Sequence, residues 1–501
     1  MSELVLVLDC GSTNITAAAV DGRGEIVSAV SEPNGPVSQP GGREDWLVWD
    51  VEKLWETVCR CSRRILDSVE AHRIRAVTAT TWGADGAPVD ECGRPTYPPI
   101  AWECPRTRPV AREVAGRFGE RRLFGITGYK VISFNTLFDL AWLRENEPRA
   151  LDGAHRWLMM PGLLSHRLCG EMSLDATTAS TMMMLDLAER EWSPELLEIA
   201  GVDASLFPPL LYPGDVIGRV TAEAAERTAL PEGIPVVASG HDTQFAPVGS
   251  GAGRDEAILS TGTWEICMLR TGEPATNDVA FEEGVLNEFD AVEGLYNPQL
   301  LMMGSGVLEW VRERFYDAEL DRSEAYAQMI EEASSVPPGA DGVTVAPSFV
   351  PDTGPLAKHE TEGTILGLGL KTKRAHIYRA ALEGLCFQLR HALEILKRAT
   401  GFEPRRLRVV GGGSRNALWN RLRADVCRLP VVVTETKEAT VVGAAVAAWT
   451  GCGRFDSLSE GEEALATRTR TLEPGGDAET YGELYERYRT IGPALSDFYA
   501  D

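Results

Sequence analysis

A chain of 501 residues is too long for one ordinary core and implies two large domains. Its net charge of −25 repels nucleic acid and anionic lipid, so neither a nucleic-acid nor a membrane partner is expected. Hydrophobic residues at 44% and charged residues at 25% form an ordinary globular balance, enough to frame a cleft between two cores.

Met1-Ser2-Glu3 runs straight into an apolar strand over 4–8, with no basic leader or cleavage site. No uncharged apolar stretch reaches the roughly 20 residues a bilayer requires. The expected location is cytoplasmic. Ten cysteines are scattered along the chain, and the pair Cys59 and Cys61 finds no nearby His or Cys to complete a zinc set. Free, mostly buried thiols are expected.

The first strand ends in Asp9-Cys10-Gly11-Ser12-Thr13-Asn14, and further strands follow over 15–20 and 25–30, an antiparallel meander. The first turn suits phosphate. Gly11 lets the backbone approach closely, Ser12 and Thr13 offer donors, and Asp9 can hold a metal ion through water. An ordinary hairpin turn accounts for the same residues. Val51, Leu54, Val58, Ile65 and Leu66 predict a helix over 50–68. The strand over 74–80 ends at Trp82-Gly83-Ala84-Asp85-Gly86, where Asp85 either holds sugar hydroxyls or closes a turn. Trp102 either stacks on an apolar sugar face or sits in a core. Met182-Met183-Met184 reads as core or interface.

The strand over 234–239 ends at Gly240-His241-Asp242-Thr243. A carboxylate there can take the proton from a hydroxyl attacking a γ-phosphorus, or it can cap the segment that follows. Strand 257–259, the turn Ser260-Thr261-Gly262-Thr263 and strand 264–268 repeat the opening unit. The alternation of strands and helices with this repeat predicts a duplicated α/β fold. Two such turns in equivalent positions could grip a polyphosphate from both sides. Small residues at 248–253 place the boundary there, giving domains over 1–248 and 249–455 and a helical extension over 456–501.

A helix is predicted over 373–398, with Leu382, Leu385, Leu389 and Leu396 near one face and a hydrogen-bonded His376 near its start. The strand over 407–410 ends in Gly411-Gly412-Gly413-Ser414. Three glycines remove side chains so that a base or ribose can lie on the backbone, and the helix over 417–428 offers its N-terminus to phosphate. A tight strand–helix turn is the alternative. The stretch 438–445 reads as a helix start with small packing residues.

Taken in order, these motifs resemble the FGGY carbohydrate kinases. The segments LDCGSTN, TWGADGAPVD, AWECPRT, FNTL, SGHDTQFA, STGTWEI, GLYNP, SGVLEWVR, YRAALEGL and VGGGSRNALWN carry the resemblance, and residues 271–290, 318–362 and 455–501 carry little of it. The resemblance implies two actin-like, ribonuclease H-like α/β domains with a catalytic cleft between them. It implies ATP and Mg²⁺ or another divalent cation, and a small-molecule ketose as substrate. L-Fuculose is the expected ketose, with L-rhamnulose or a pentulose such as ribulose or xylulose as alternatives. A non-catalytic actin-like scaffold is a remote alternative, and a homodimer stays open. By position, Asp242 matches the general base and Asp9 the residue positioning the metal–nucleotide, with both carboxylates near the metal. Gly11, Ser12, Thr13 and Asn14 match the first phosphate loop, Gly262 and Thr263 the second, and Gly412 and Gly413 the adenosine site. Asp85, His241 and Thr243 match the sugar region, joined by Gly83 and Trp102. Asn297 falls where related kinases contact nucleotide.

Overall fold

The computed structural model describes residues 2–317, 319–350, 353–435, 438–465 and 467–499. Apolar runs become buried strands. The first sheet is built from β1 (Leu4–Cys10), β2 (Asn14–Asp21), β3 (Ile26–Pro33), β4 (Ile74–Thr81), β5 (Val216–Arg219) and β6 (Pro235–Val237). Its order is β5-β6-β4-β1-β2-β3. β1 pairs antiparallel with β2 and parallel with β4, and β4 pairs parallel with β6.

The second sheet uses β7 (Glu256–Thr261), β8 (Trp264–Met268), β9 (Leu286–Phe289), β10 (Tyr296–Met303), β11 (Arg406–Val410), β12 (Val431–Thr434) and β13 (Thr469–Leu472). Its order is β9-β10-β8-β7-β11-β12-β13. β7 stands where β1 stands in the first sheet. An antiparallel hairpin lies on one side of it and two parallel strands on the other. The repeat read from the Gly/Ser/Thr turns is therefore a repeat of topology.

β1 shows why both faces of the first sheet are covered. Leu4, Leu6 and Leu8 pack with Leu54, Trp55 and Val58 of α1 (Val51–Leu66). Val5 and Val7 point the other way. They pack with Val441, Ala444 and Ala448 of a helix from the second half, Ala439–Gly451.

That helix crosses α2 (Asp242–Ser250) at backbone distance. A Cβ on Gly249 would lie 1.8 Å from the Ala439 carbonyl oxygen, and one on Gly443 would lie 2.0 Å from that of Phe245. Glycine is required at both positions by this close approach.

The long helix of the second half, α3 (Arg374–Thr400), is buried along most of its length, and His376 Nδ1 caps its start by accepting from the Lys373 N–H at 2.8 Å. Beyond residue 455, helices were expected, and β13 is an addition to them. It pairs antiparallel with β12. Its sequence, Thr-Arg-Thr-Leu, is mostly exposed and carries no apolar alternation. The buried rings of Tyr481, Tyr485 and Tyr488 then pack around Phe387 of α3. Met182, Met183 and Met184 are buried core. Among the described residues no helix is long and apolar enough to cross a membrane.

Candidate active site

The register of the first sheet gathers the polar turns at one edge. Asp9 lies opposite Thr80 and Cys10 opposite Thr81, while Thr81 bridges to His241. These are the carboxyl ends of parallel strands, where open α/β sheets bind ligands. Asp242 is the first residue of α2, and its Oδ1 accepts from the Thr243 N–H at 2.6 Å and Oγ1 at 3.3 Å. Its side chain keeps 29% exposure, so a ligand can reach it. Burial lifts its carboxyl above the usual range, with His241 pulling the other way.

Asp9 is pushed up to about 8 by burial and by the charges of Asp242 and Glu438. Two neighbouring carboxylates, with Asp242 raising Asp9, suit a hard cation between them. Among the described residues no third His, Cys, Asp or Glu completes a protein-only metal cluster. The arrangement therefore fits an ion that keeps one or two carboxylates and takes its other oxygens from water and phosphate.

His241 is anchored on several sides. Its backbone N–H donates to Thr177 Oγ1 at 2.9 Å. Gly240, at φ 150°, leaves room for Asp175, whose Oδ1 would lie 1.9 Å from a Cβ there. The ring's Nδ1 lies 2.9 Å from Glu288 Oε2, and Nε2 lies 3.5 Å from Asp242 Oδ1. Burial works against charge on this imidazole, but the carboxylates of Glu288, Asp242 and Asp175 outweigh it and raise it to about 9.

Asp85 is 1% exposed and holds φ 67°, a backbone region unusual outside glycine. Three donors converge on its Oδ2: Trp49 Nε1 at 2.6 Å, Trp82 Nε1 at 2.9 Å and the Trp102 N–H at 3.2 Å. Its buried Oδ1 has no partner among the described residues. Burial outweighs the three donors and pushes the carboxyl up to about 7. Trp102 is 40% exposed and meets Phe134 edge-on at 6.0 Å, forming an open aromatic wall beside this carboxylate.

The first turn, Gly11 to Asn14, joins β1 to β2 and is tied down by Asn34, which donates to the Thr13 carbonyl at 2.8 Å and the Gly11 carbonyl at 2.9 Å. Thr13 and Asn14 are exposed, and Gly11 and Ser12 are half-buried. Gly262 and Thr263 form the matching turn between β7 and β8. Their carbonyls accept from the N–H groups of Ser305 at 2.8 Å and Gly304 at 3.0 Å.

Gly411, at φ 90°, lets β11 turn beside Thr261, whose carbonyl oxygen would lie 2.6 Å from a Cβ. A Cβ on Gly413 would strike Thr261 Oγ1 at 2.3 Å, whereas one on Gly412 would meet nothing nearer than Arg415 at 3.8 Å. Gly412 faces open space, and Gly413 is a packing glycine.

Asn297 is more deeply buried than the sequence expectation implied. It lies in β10 at 0% exposure, with Nδ2 donating to Asp290 Oδ2 at 3.4 Å and a buried Oδ1 that has no partner among the described residues. Sequence reasoning also passed over Trp49 and Trp82, which hold Asp85, and Glu288, Tyr129 and Gln244, which surround His241. Trp82 sits inside the motif that holds Asp85 and carried a signal, whereas Trp49 lies in no motif. Glu288 falls in a stretch without motif.

The N-terminal domain of the FGGY family of carbohydrate kinases matches residues 4–249, and its C-terminal domain matches residues 257–452. The chain is similar to the L-fuculokinase of Escherichia coli (strain K12), 41% identical over 96% of this chain and 99% of that protein. It is 33% identical to the L-fuculokinase of Haemophilus influenzae over 94% of this chain and 99% of that one. Among solved structures, the xylulose kinase from Rhodospirillum rubrum superposes with a TM-score of 0.87 at 24% identity, covering 100% of both chains.

Proposed function

Because the chain belongs to the FGGY family of carbohydrate kinases, we propose that it transfers the γ-phosphoryl group of ATP to L-fuculose, giving L-fuculose 1-phosphate and ADP. The observation that carries the choice of sugar is the 41% identity to an L-fuculokinase along nearly the whole of both chains. The xylulose kinase of Bacillus subtilis is 24% identical over a similar span.

Each role follows from chemistry already described. Asp85 Oδ1 accepts a sugar hydroxyl, and Trp102 covers an apolar face of the sugar. Asp242 takes the proton of the attacking hydroxyl as the new O–P bond forms and the bond to ADP breaks. N–H groups of the turn at Gly11–Asn14 and that of Thr263 face phosphate oxygens, and the open backbone at Gly412 receives the adenosine. Asp9 and Asp242 are the residues that would hold Mg²⁺, which supplies charge neutralisation of the phosphates when bound. The ten cysteines are all free thiols, which suits a reducing compartment and supports a cytoplasmic location. The proposed division is into domains over 1–248 and 249–455 with a C-terminal extension over 456–501, and the family matches over 4–249 and 257–452 support it.

The deciding experiment is ATP turnover by the purified protein with Mg²⁺ against L-fuculose, L-rhamnulose, D- and L-ribulose, D- and L-xylulose and glycerol. The highest kcat/KM is expected for L-fuculose. A preference for another ketose would replace the sugar and keep the mechanism. ATP binding without turnover on any of them would return the protein to a scaffold role.

A further inference from the structure

Glu288 belongs to the second half of the chain but is spent on the first. Its strand, β9, docks against the loop at Gly128–Tyr129. Asn287 donates to the Gly128 carbonyl from its backbone N–H at 3.0 Å and from Nδ2 at 3.3 Å. The Phe289 N–H donates to Ser180 Oγ at 3.1 Å. Between them, the Glu288 carboxylate is 3% exposed and fully engaged. Oε1 accepts from the Tyr129 hydroxyl, while Oε2 accepts from Gln244 Nε2 at 2.5 Å and faces His241 Nδ1 at 2.9 Å.

An ionised carboxylate only accepts hydrogen bonds, so Nδ1 of His241 carries the proton in this pair. The ring cannot swing away. One face lies on the Gly83 backbone, where a Cβ would sit 2.5 Å from ring atoms. The other nitrogen, Nε2, is thereby directed at Asp242. The 3.5 Å between Nε2 and Asp242 Oδ1 is long for a hydrogen bond, and it leaves both atoms able to touch one hydroxyl oxygen.

We infer that Glu288 is a positioning residue for phosphoryl transfer: reaching across the domain junction, it accepts the Nδ1 proton of His241 and so holds Nε2 toward Asp242 and the acceptor hydroxyl. This rests on the kinase reading of the same site. Carboxylates that orient a functional histidine from behind commonly matter 10–100-fold at metal centres, and a similar scale applies to a ring that must meet a reacting hydroxyl.

The test is steady-state kinetics of Glu288→Gln, His241→Gln and the double variant with the best ketose of the panel, beside ¹⁵N spectra of histidine-labelled protein. Glu288→Gln is expected to lower kcat about 10–100-fold with the KM for ATP within about twofold. Acting through His241, it should cost nothing further in the His241→Gln background. Multiplying losses in the double variant, an unchanged kcat, or a loss confined to the KM for ATP would overturn the inference.

The wild-type spectrum should show one imidazole with a hydrogen-bonded Nδ1 proton that disappears in His241→Gln, and its absence would overturn the inference even where Glu288→Gln does not fold. Should no ketose be phosphorylated, the functional reading fails by itself, and the spectrum still decides whether Glu288 holds the ring.

Discussion

Gly83 and His241 are packed so closely that a single methyl group cannot fit between them: a Cβ on Gly83 would lie 2.5 Å from both Cε1 and Nδ1 of the imidazole. The glycine's service to the sugar site is to give this ring a flat seat. Gly83→Ala should push the ring off that seat, lowering kcat by about 10–100-fold, the scale of an ångström-sized misplacement. Overpacking should cost about 1–3 kcal/mol of stability. Kinetics at saturating ATP together with urea unfolding would measure both, and a normal kcat would separate His241 from catalysis.

Asp242→Asn removes the base and keeps the shape. Turnover should fall at least about 100-fold while nucleotide affinity, measured by calorimetry, stays within a few-fold. Near-normal turnover would end the assignment of Asp242 as base.

The neighbouring glycines should divide two effects. Gly412→Val places its side chain in open space and should raise the KM for ATP with little change in melting temperature. Gly413→Val drives carbon into Thr261 Oγ1 at 2.3 Å and against Trp419 at 3.0 Å, so it should lower the melting temperature first. If both variants behaved alike, the nucleotide would not lie on Gly412.

Asp85→Asn should raise the KM for the sugar about tenfold or more and spare that for ATP, because one buried hydroxyl contact is worth about 1–3 kcal/mol. It also carries a pH signature. The carboxyl sits near 7 in the fold and ordinarily near 4 in the unfolded chain, so the folded state binds the proton more tightly. Its stabilising share is complete below about 4 and is lost as pH rises through about 7. Urea unfolding at several values across that window should show a shallower decline in Asp85→Asn than in the wild type.

Glu265 and Arg423 pair with both side chains at 0% exposure. Arg423 also donates to Thr261 Oγ1 at 3.0 Å and lies 3.8 Å over Trp419, bracing the second phosphate turn from beneath. Arg423→Met leaves Glu265 as a buried lone charge and should cost about 3–5 kcal/mol. Adding Glu265→Gln should recover part of it. Denaturant unfolding of the wild type and both variants checks this, and a double variant worse than the single would contradict it.

The sequence made the scaffold legible because its signals are local. Apolar runs closed by Gly/Ser/Thr turns located β1, β4, β6, β7 and β11, and those turns carried Asp9, Asp242 and the residues proposed to face phosphate. What it hid is assembled from a distance. Trp49 reaches Asp85 from an earlier segment, and Glu288 reaches His241 from a strand with no motif of its own. Asp85 reads as a turn residue, yet it is buried at φ 67° with three donors on one oxygen. Asn297 was found by a position shared with related kinases, which says nothing of which way a strand residue points, and its full burial in β10 was not legible.

The crossing of α2 with Ala439–Gly451 has a mechanical consequence. Gly249 and Gly443 bring the two backbones into direct contact, and Phe245, Val248, Val441, Ala444 and Ala445 pack in one core around them. A side chain at either glycine would have to push backbone away from backbone. The cost would spread past the crossing, because lifting Ala439–Gly451 off α2 would also lift Val441, Ala444 and Ala448 off the first sheet.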